Sequence, residues 1–275
     1  VIKTVDVGSN PQDVGVNPFT NRIYVSNSES YTVSVIEGAT NTVMTTVGVG
    51  VNPVGVGVNP STNLIYVANS DPNNVSIISG NTNTVIKTVD VGMFPQEVGV
   101  NPSTNRIYVV NYFSNNVSVV DGIMNEVIAT VSVGSGPFAV GVNPSTNLIY
   151  VANSASNDVS VIEGNTNAVI ATVSVGLSPF GIQVNPHTNR IYVANSASND
   201  ISVMEGNTNT VITTVGVGSF PQGVGVSSST NLIYVANNNS NNVSVIDGTT
   251  NEVITTVDVG SSPYGVGVNT KGCKM

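Results

Sequence analysis

Residues Val127–Ala168 read VIATVSVGSGPFAVGVNPSTNLIYVANSASNDVSVIEGNTNA, and this 42-residue stretch decides the fold. Four short Val- and Ile-rich runs, Val127-Gly134, Phe138-Val142, Leu148-Asn153 and Val159-Glu163, alternate with turn formers: Gly134-Ser-Gly-Pro137, Asn143-Pro-Ser-Thr-Asn147, Asn153-Ser-Ala-Ser-Asn-Asp158 and Gly164-Asn-Thr-Asn167. Short β-branched runs bounded in this way read as antiparallel strands. No window sustains a 3.6-residue apolar period, and Val, Thr, Gly and Asn are poor helix formers, so helical repeats are excluded.

The unit recurs without insertion or deletion, with copies starting at Val1, Val43, Val85, Val127, Val169 and Val211 and a partial copy from Val253 to Met275. The repeats are thus 1–42, 43–84, 85–126, 127–168, 169–210 and 211–252, with 253–275 incomplete, all in one domain. Four strands at this period predict an all-β chain, a β-propeller of four-stranded antiparallel blades, with Phe138-Val142 innermost in its blade and Val127-Val133 outermost. A parallel β-helix of two 21-residue coils is the rival, and the two halves of the unit do not resemble each other. The arithmetic predicts seven blades, the last shortened and closed by pairing Val1-Val7 with Tyr264-Val268, extended through Asn269-Thr-Lys-Gly272 into Cys273-Met275. Six blades are the alternative.

Composition narrows the function. The net charge is −9 and only 8% of residues are charged, with no Lys/Arg cluster, so nucleic acid and anionic lipid are not expected partners. No apolar stretch approaches the length of a membrane span. Cys273 is the only cysteine, so a disulfide framework within one chain is excluded. The chain opens at Val1 inside the periodic pattern, which reads as a mature product or a segment of something longer.

The strand motif Ile65-Tyr-Val-Ala-Asn69 recurs as Ile149-Asn153, Ile191-Asn195 and Ile233-Asn237, with variants Ile23-Asn27 and Ile107-Asn111, each followed by a Val-Ser-Val-Ile-Glu-Gly-like strand and turn. It resembles the YVTN-type β-propeller repeat of archaeal and bacterial surface-layer and other cell-surface proteins. The resemblance implies a propeller outside the cell, often as a module of a longer chain, and carries no catalytic motif. Similar-looking propellers include lactonases, an antibiotic-ring lyase and a heme-binding nitrite reductase.

The inventory of chemical groups is thin. His187 is the only histidine and replaces a Ser in an Asn-Pro-Ser-Thr turn, which reads as a surface substitution. The inner strands, such as Val140-Gly-Val142 and Ile182-Gln-Val184, predict an apolar lining with no convergent acid–base pair. Neither a metal nor a cofactor is expected. Glu37, Asp121, Glu163, Glu205 and Asp247 share one repeat position before a glycine, with Ser79 in the remaining copy, and read as turn-shaping groups. Asp158 and Asp200 lie in identical segments, which argues against a tailored site.

The loops entering the inner strands vary around a fixed proline. Ser9-Asn-Pro-Gln-Asp13, Met93-Phe-Pro-Gln-Glu97, Ser135-Gly-Pro-Phe-Ala139, Leu177-Ser-Pro-Phe-Gly181, Ser219-Phe-Pro-Gln-Gly223 and Ser261-Ser-Pro-Tyr-Gly265 place Met93, Phe94, Phe138, Phe180, Phe220 and Tyr264 on one face. The neighbouring loops add Tyr31, Tyr112 and Phe113. This aromatic-and-acidic rim is the candidate binding surface, the alternative being that its rings plug the channel mouth or fill gaps between blades. Asn74, Asn116, Asn238 and Asn242 fit the glycosylation sequon. The resulting expectation is a non-catalytic extracellular or cell-surface scaffold or binding module with a protein or glycan partner on the loop face. The alternatives are an enzyme of lactonase or lyase-like type and a purely structural surface-layer or filament module.

Overall fold

A computed structural model describes residues 1–269. It contains six four-stranded antiparallel sheets, each formed by four consecutive strands in chain order, the arrangement of β-propeller blades. The blades run Pro11–Gly48, Pro53–Asp90, Pro95–Ser132, Pro137–Ser174, Pro179–Gly216 and Pro221–Asp258. Each opens on the fixed proline, which has no N–H to donate and is tolerated at the first position of a strand. The chain divides into two compact units, residues 1–130 and residues 131–270.

The turns explain the asparagine content. In most of them a residue preceding a strand has a left-handed backbone, and Asn fills that place repeatedly, as at Asn21 (φ 54°), Asn63 (φ 54°), Asn147 (φ 56°) and Asn189 (φ 54°). The same side chains join neighbouring blades, because Asn17 Nδ2 donates to Asn63 Oδ1 at 2.8 Å and Asn143 Nδ2 to Asn189 Oδ1 at 2.7 Å.

Within residues 1–130, Tyr24, Val33 and Val47 of blade 1 pack on Val56, Ile65 and Ile78 of blade 2. Within residues 131–269, Tyr150 and Val161 of blade 4 pack on Ile182, Ile191 and Val193 of blade 5. In blades 2 to 5 the second and third strands are therefore buried on both faces and the outer strand is mostly exposed, as the apolar runs predicted. The inner strands approach closely: a Cβ added to Gly57 would lie 2.7 Å from Val98 Cγ1 and 2.8 Å from the Val98 carbonyl oxygen, so only glycine fits there.

Six blades, the alternative, are what the structure forms. Among the described residues neither Val1-Val7 nor Tyr264-Val268 belongs to a sheet, so the composite seventh blade is not made. The reason is geometric, since the inner and outer strands of a blade are separated by two others, three spacings of about 4.8 Å, too far for a backbone hydrogen bond. Each segment instead follows the repeat on its own unit. Lys3 Nζ donates to the Thr40 carbonyl at 3.1 Å as Lys87 Nζ does to the Met124 carbonyl at 3.1 Å, and Gly223 N donates to the Tyr264 carbonyl at 2.9 Å. The Cys273-Met275 extension lies outside the described residues.

Candidate functional site

The inner strands do not keep the plain alternation expected of them. In blade 1 the pairing shifts between Pro11 and Val14, and in blade 3 between Val110 and Asn111, where Asn111 faces Pro95 and Val110 faces Glu97. A bulge of this kind inserts a residue and re-aims its neighbours. It turns Asp13 and Glu97 toward each other, and they hydrogen-bond side chain to side chain. Blade 2 lies between their blades, and its residue at the same repeat position is Gly55, which puts no side chain between them. A Cβ on Gly55 would lie 2.6 Å from both the Gln96 carbonyl oxygen and Glu97 Cα. The expectation of no convergent acid pair is thus corrected.

Asp13 Oδ2 accepts from Val56 N at 2.8 Å and Glu97 Oε1 accepts from Val98 N at 3.4 Å. Each side chain keeps a solvent-accessible strip although protein atoms crowd the rest of it, and the crowding governs its ionisation. Loss of hydration pushes the Asp13 carboxyl up, with the Val56 N–H working against it. The same loss of hydration, reinforced by the charge of Asp13, pushes Glu97 well above its ordinary range. Crowding thus favours the protonated form of each carboxyl.

The sequence did carry a signal for this pair. Motif copies have Ala as fourth residue at Ala68, Ala152, Ala194 and Ala236, but Ser26 and Val110 stand in the two blades with acidic bulge residues. Val110 is the cross-strand partner of Glu97, and Ser26 Oγ accepts from Asp13 N at 3.1 Å.

The rim residues fall into two clusters, one in each unit. In residues 1–130, Phe94 lies 4.8 Å from Phe113 and 6.3 Å from Tyr112, ring centre to ring centre, with Tyr112 and Phe113 at 5.2 Å. Phe113 is 61% and Met93 56% exposed. In residues 131–269, Phe180 lies 3.7 Å from Phe138, 6.0 Å from Tyr264 and 6.5 Å from Phe220. Phe138, Phe180 and Tyr264 are half-buried, whereas Phe220 is exposed.

The other candidates make local contacts within their turns and strands. Glu163 accepts from Thr166 and Asn165 within its turn and is lowered to about 2, first by the Thr166 hydroxyl; Asp121 and Asp247 are lowered chiefly by turn N–H groups. Asn74, Asn116 and Asn242 accept from the buried Asn69, Asn111 and Asn237 at 2.9, 2.8 and 2.8 Å, and Asn238 Nδ2 donates to the Pro263 carbonyl at 3.3 Å. His187 is exposed in its turn, its backbone N donating to Asn185 Oδ1 at 3.1 Å.

With this geometry in hand, the model of the cytochrome D1 heme domain matches residues 58–270. The chain belongs to this family. Among solved structures it is similar to hydrazine synthase of Kuenenia stuttgartiensis, with a TM-score of 0.86 and 17% identity, covering 99% of this chain and 94% of that one. That likeness supports the propeller fold. The search of curated proteins finds no match. Membership in a heme-domain family overturns the expectation of a non-catalytic surface scaffold, which rested on the missing histidine motifs. It also supports a β-propeller without supporting the YVTN assignment.

Among the described residues the donor set does not fit a heme held in a ligand-lined pocket. His187 is exposed in a turn, Met204 is packed in the core, and Met44, Met93 and Met124 are exposed. Heme carboxylates also lack cations at the rim among the described residues. Arg22 and Arg190 are spent on the Gly80 and Gly248 carbonyls at the opposite ends of their strands, and Lys87 pairs with Glu126 at 3.7 Å.

Proposed function

We propose that the chain is an enzyme-type propeller whose working centre is the Asp13–Glu97 pair, exchanging a proton with a planar, neutral or cationic ligand held against Phe94, Tyr112 and Phe113. The observation that carries this reading is the convergence of two crowded carboxyls across the side-chain-free Gly55. Two carboxyls in such a place do not both ionise, and the environments of the two differ enough to assign roles. Glu97 is the acid. Asp13, supported by the Val56 N–H, is the partner that takes the charge. The ligand is neutral or cationic because no cation stands at the rim among the described residues, and planar because the aromatic Phe113 is exposed. We place this activity outside the cell or at its surface, where a protein or glycan partner would meet the exposed residues Met93 and Phe113.

Infrared titration tests the centre. The protein should show a protonated carboxyl band persisting above the ordinary carboxylate range, and Glu97→Gln should remove it. Binding of a heteroaromatic amine panel should depend on pH in the native protein and lose that dependence in Asp13→Asn. Absence of the band overturns the reading. Added hemin should give no stoichiometric Soret shift, and a one-to-one shift lost in Met93→Ala or Tyr112→Phe would replace this proposal with heme binding.

A further inference from the structure

Packing between blades repeats in a fixed way within residues 131–269. Tyr192, Ile201 and Val215 of blade 5 rest on Ile233, Val235 and Ile246 of blade 6. One repeat later, the residues on blade 6 that correspond to the first three are Tyr234, Val243 and Val257. Tyr192 and Ile201 are wholly buried and Val215 is 7% exposed, but Tyr234 and Val243 are only half-buried and Val257 is 40% exposed. The inner end of that face is covered: a Cβ on Gly225 would lie 2.5 Å from Val266 Cγ1, and Val224 and Val226 are 7% and 8% exposed. The cover is the segment Tyr264-Val268, which belongs to no sheet among the described residues. Blade 6 thus presents an apolar face over its second to outer strands, with the segment Tyr264-Val268 along its inner margin.

We propose that this face and the edge of Gly265-Val268 form a β-augmentation site for a β-hairpin with the second- and third-strand chemistry of the repeat. A strand edge beside an apolar face is a template for an added strand. Continuity with the blade 5–blade 6 interface names the occupant, since what rests on Tyr192, Ile201 and Val215 must rest on Tyr234, Val243 and Val257. That is a strand with Ile and Val at alternate positions, followed by one with an aliphatic fifth residue. The register follows from blade 6, where Val226 pairs with Ile233, Gly225 with Tyr234 and Val224 with Val235. Along that segment the same pairing sets Val268 against the Ile, Gly267 against the Tyr and Val266 against the Val of the hairpin. This inference rests on the blades alone and is independent of the acid pair.

The probe is a fluorescent synthetic peptide with the sequence of Leu148–Glu163, which contains both strands and their turn. The peptide should bind the native protein saturably at one to one in anisotropy and raise the melting temperature by several degrees, as a ligand of the native state does. Replacing Ile149 and Val151 of the peptide with Asp should weaken binding more than tenfold. Val257→Glu, at an exposed position, should weaken it similarly while the free protein melts as before. No saturable binding up to about 1 mM peptide, or equal binding by the Asp-substituted peptide, overturns the proposal. So does self-association in sedimentation that the peptide fails to reverse, since a second copy would then hold the face.

Discussion

Phe94, Phe220 and Tyr31 hold φ of 57°, 55° and 56°, a left-handed backbone that Asn adopts at the corresponding places Asn10, Asn52 and Asn73. A bulky residue in this region costs roughly 1–2 kcal/mol. The fold does not need the rings there, since Asn or Ser serves at the same position in other copies. The net effect depends on what each ring touches. Phe220 is exposed, with its ring 6.5 Å from that of Phe180, so Phe220→Asn should stabilise the protein by about 1 kcal/mol in urea unfolding. Phe94 has two closer ring neighbours, each worth about 0.5–1.5 kcal/mol, and Phe94→Asn should be close to neutral. Equal stabilisation by both variants would show that the ring contacts of Phe94 count for nothing. In the binding assay the order reverses, with Phe94→Asn weakening a stacked ligand and Phe220→Asn leaving it unchanged.

At the level of strands and turns, the Asn before the second strand has two tasks. Asn189 has φ 54°, and its Oδ1 accepts from Asn143 Nδ2 of blade 4 at 2.7 Å. Asn189→Ala should lose both the backbone preference and the inter-blade bond, a cost of about 2 kcal/mol. Asn207→Ala, which removes an exposed partner of Asn189 and an exposed bond to Glu205 Oε1, should cost under about 0.5 kcal/mol. The measurement is the urea midpoint of each variant, and equal midpoints would mean that neither the turn conformation nor the inter-blade bond counts at Asn189. Strands and turns such as these were legible in the sequence because each blade repeats the same solution, so alternation, proline and Asn-rich turns agree six times over. Asp13 and Glu97 were not, although their loops could be quoted. A bulge breaks alternation over two residues, and the partners are separated by two repeats, so nothing local in either copy announces the other. The substitutions Ser26 and Val110 marked the two blades without saying what they met. The open face of blade 6 was equally hidden, because Tyr234 sits in the same Ile-Tyr-Val-Ala-Asn motif as its buried counterparts.

Across the whole molecule, the carboxyl pair makes stability depend on pH in the direction opposite to a salt-bridged acid. Asp13 and Glu97 both belong to residues 1–130 and join blades 1 and 3 of that unit. Burial raises Glu97 above its ordinary value of 4.5, and Asp13 is raised as well. Below the ordinary value the carboxyl is protonated in native and unfolded chains alike, and its contribution is fully present. As pH rises past that value the unfolded chain releases the proton while the native pair retains it. The native state then binds more protons, so the free energy of unfolding falls with pH until Glu97 ionises in the native state too. The melting temperature should therefore decline as pH is raised from about 4.5 into the neutral range, with the decline confined to the unit of residues 1–130 if the two units melt separately. Glu97→Gln keeps the size and hydrogen-bonding capacity of the side chain without an ionisable proton, and should flatten the profile over the same range. A native profile that is flat or rises there, or a Glu97→Gln profile that falls as steeply as the native one, would show that the pair does not hold its proton in the folded protein.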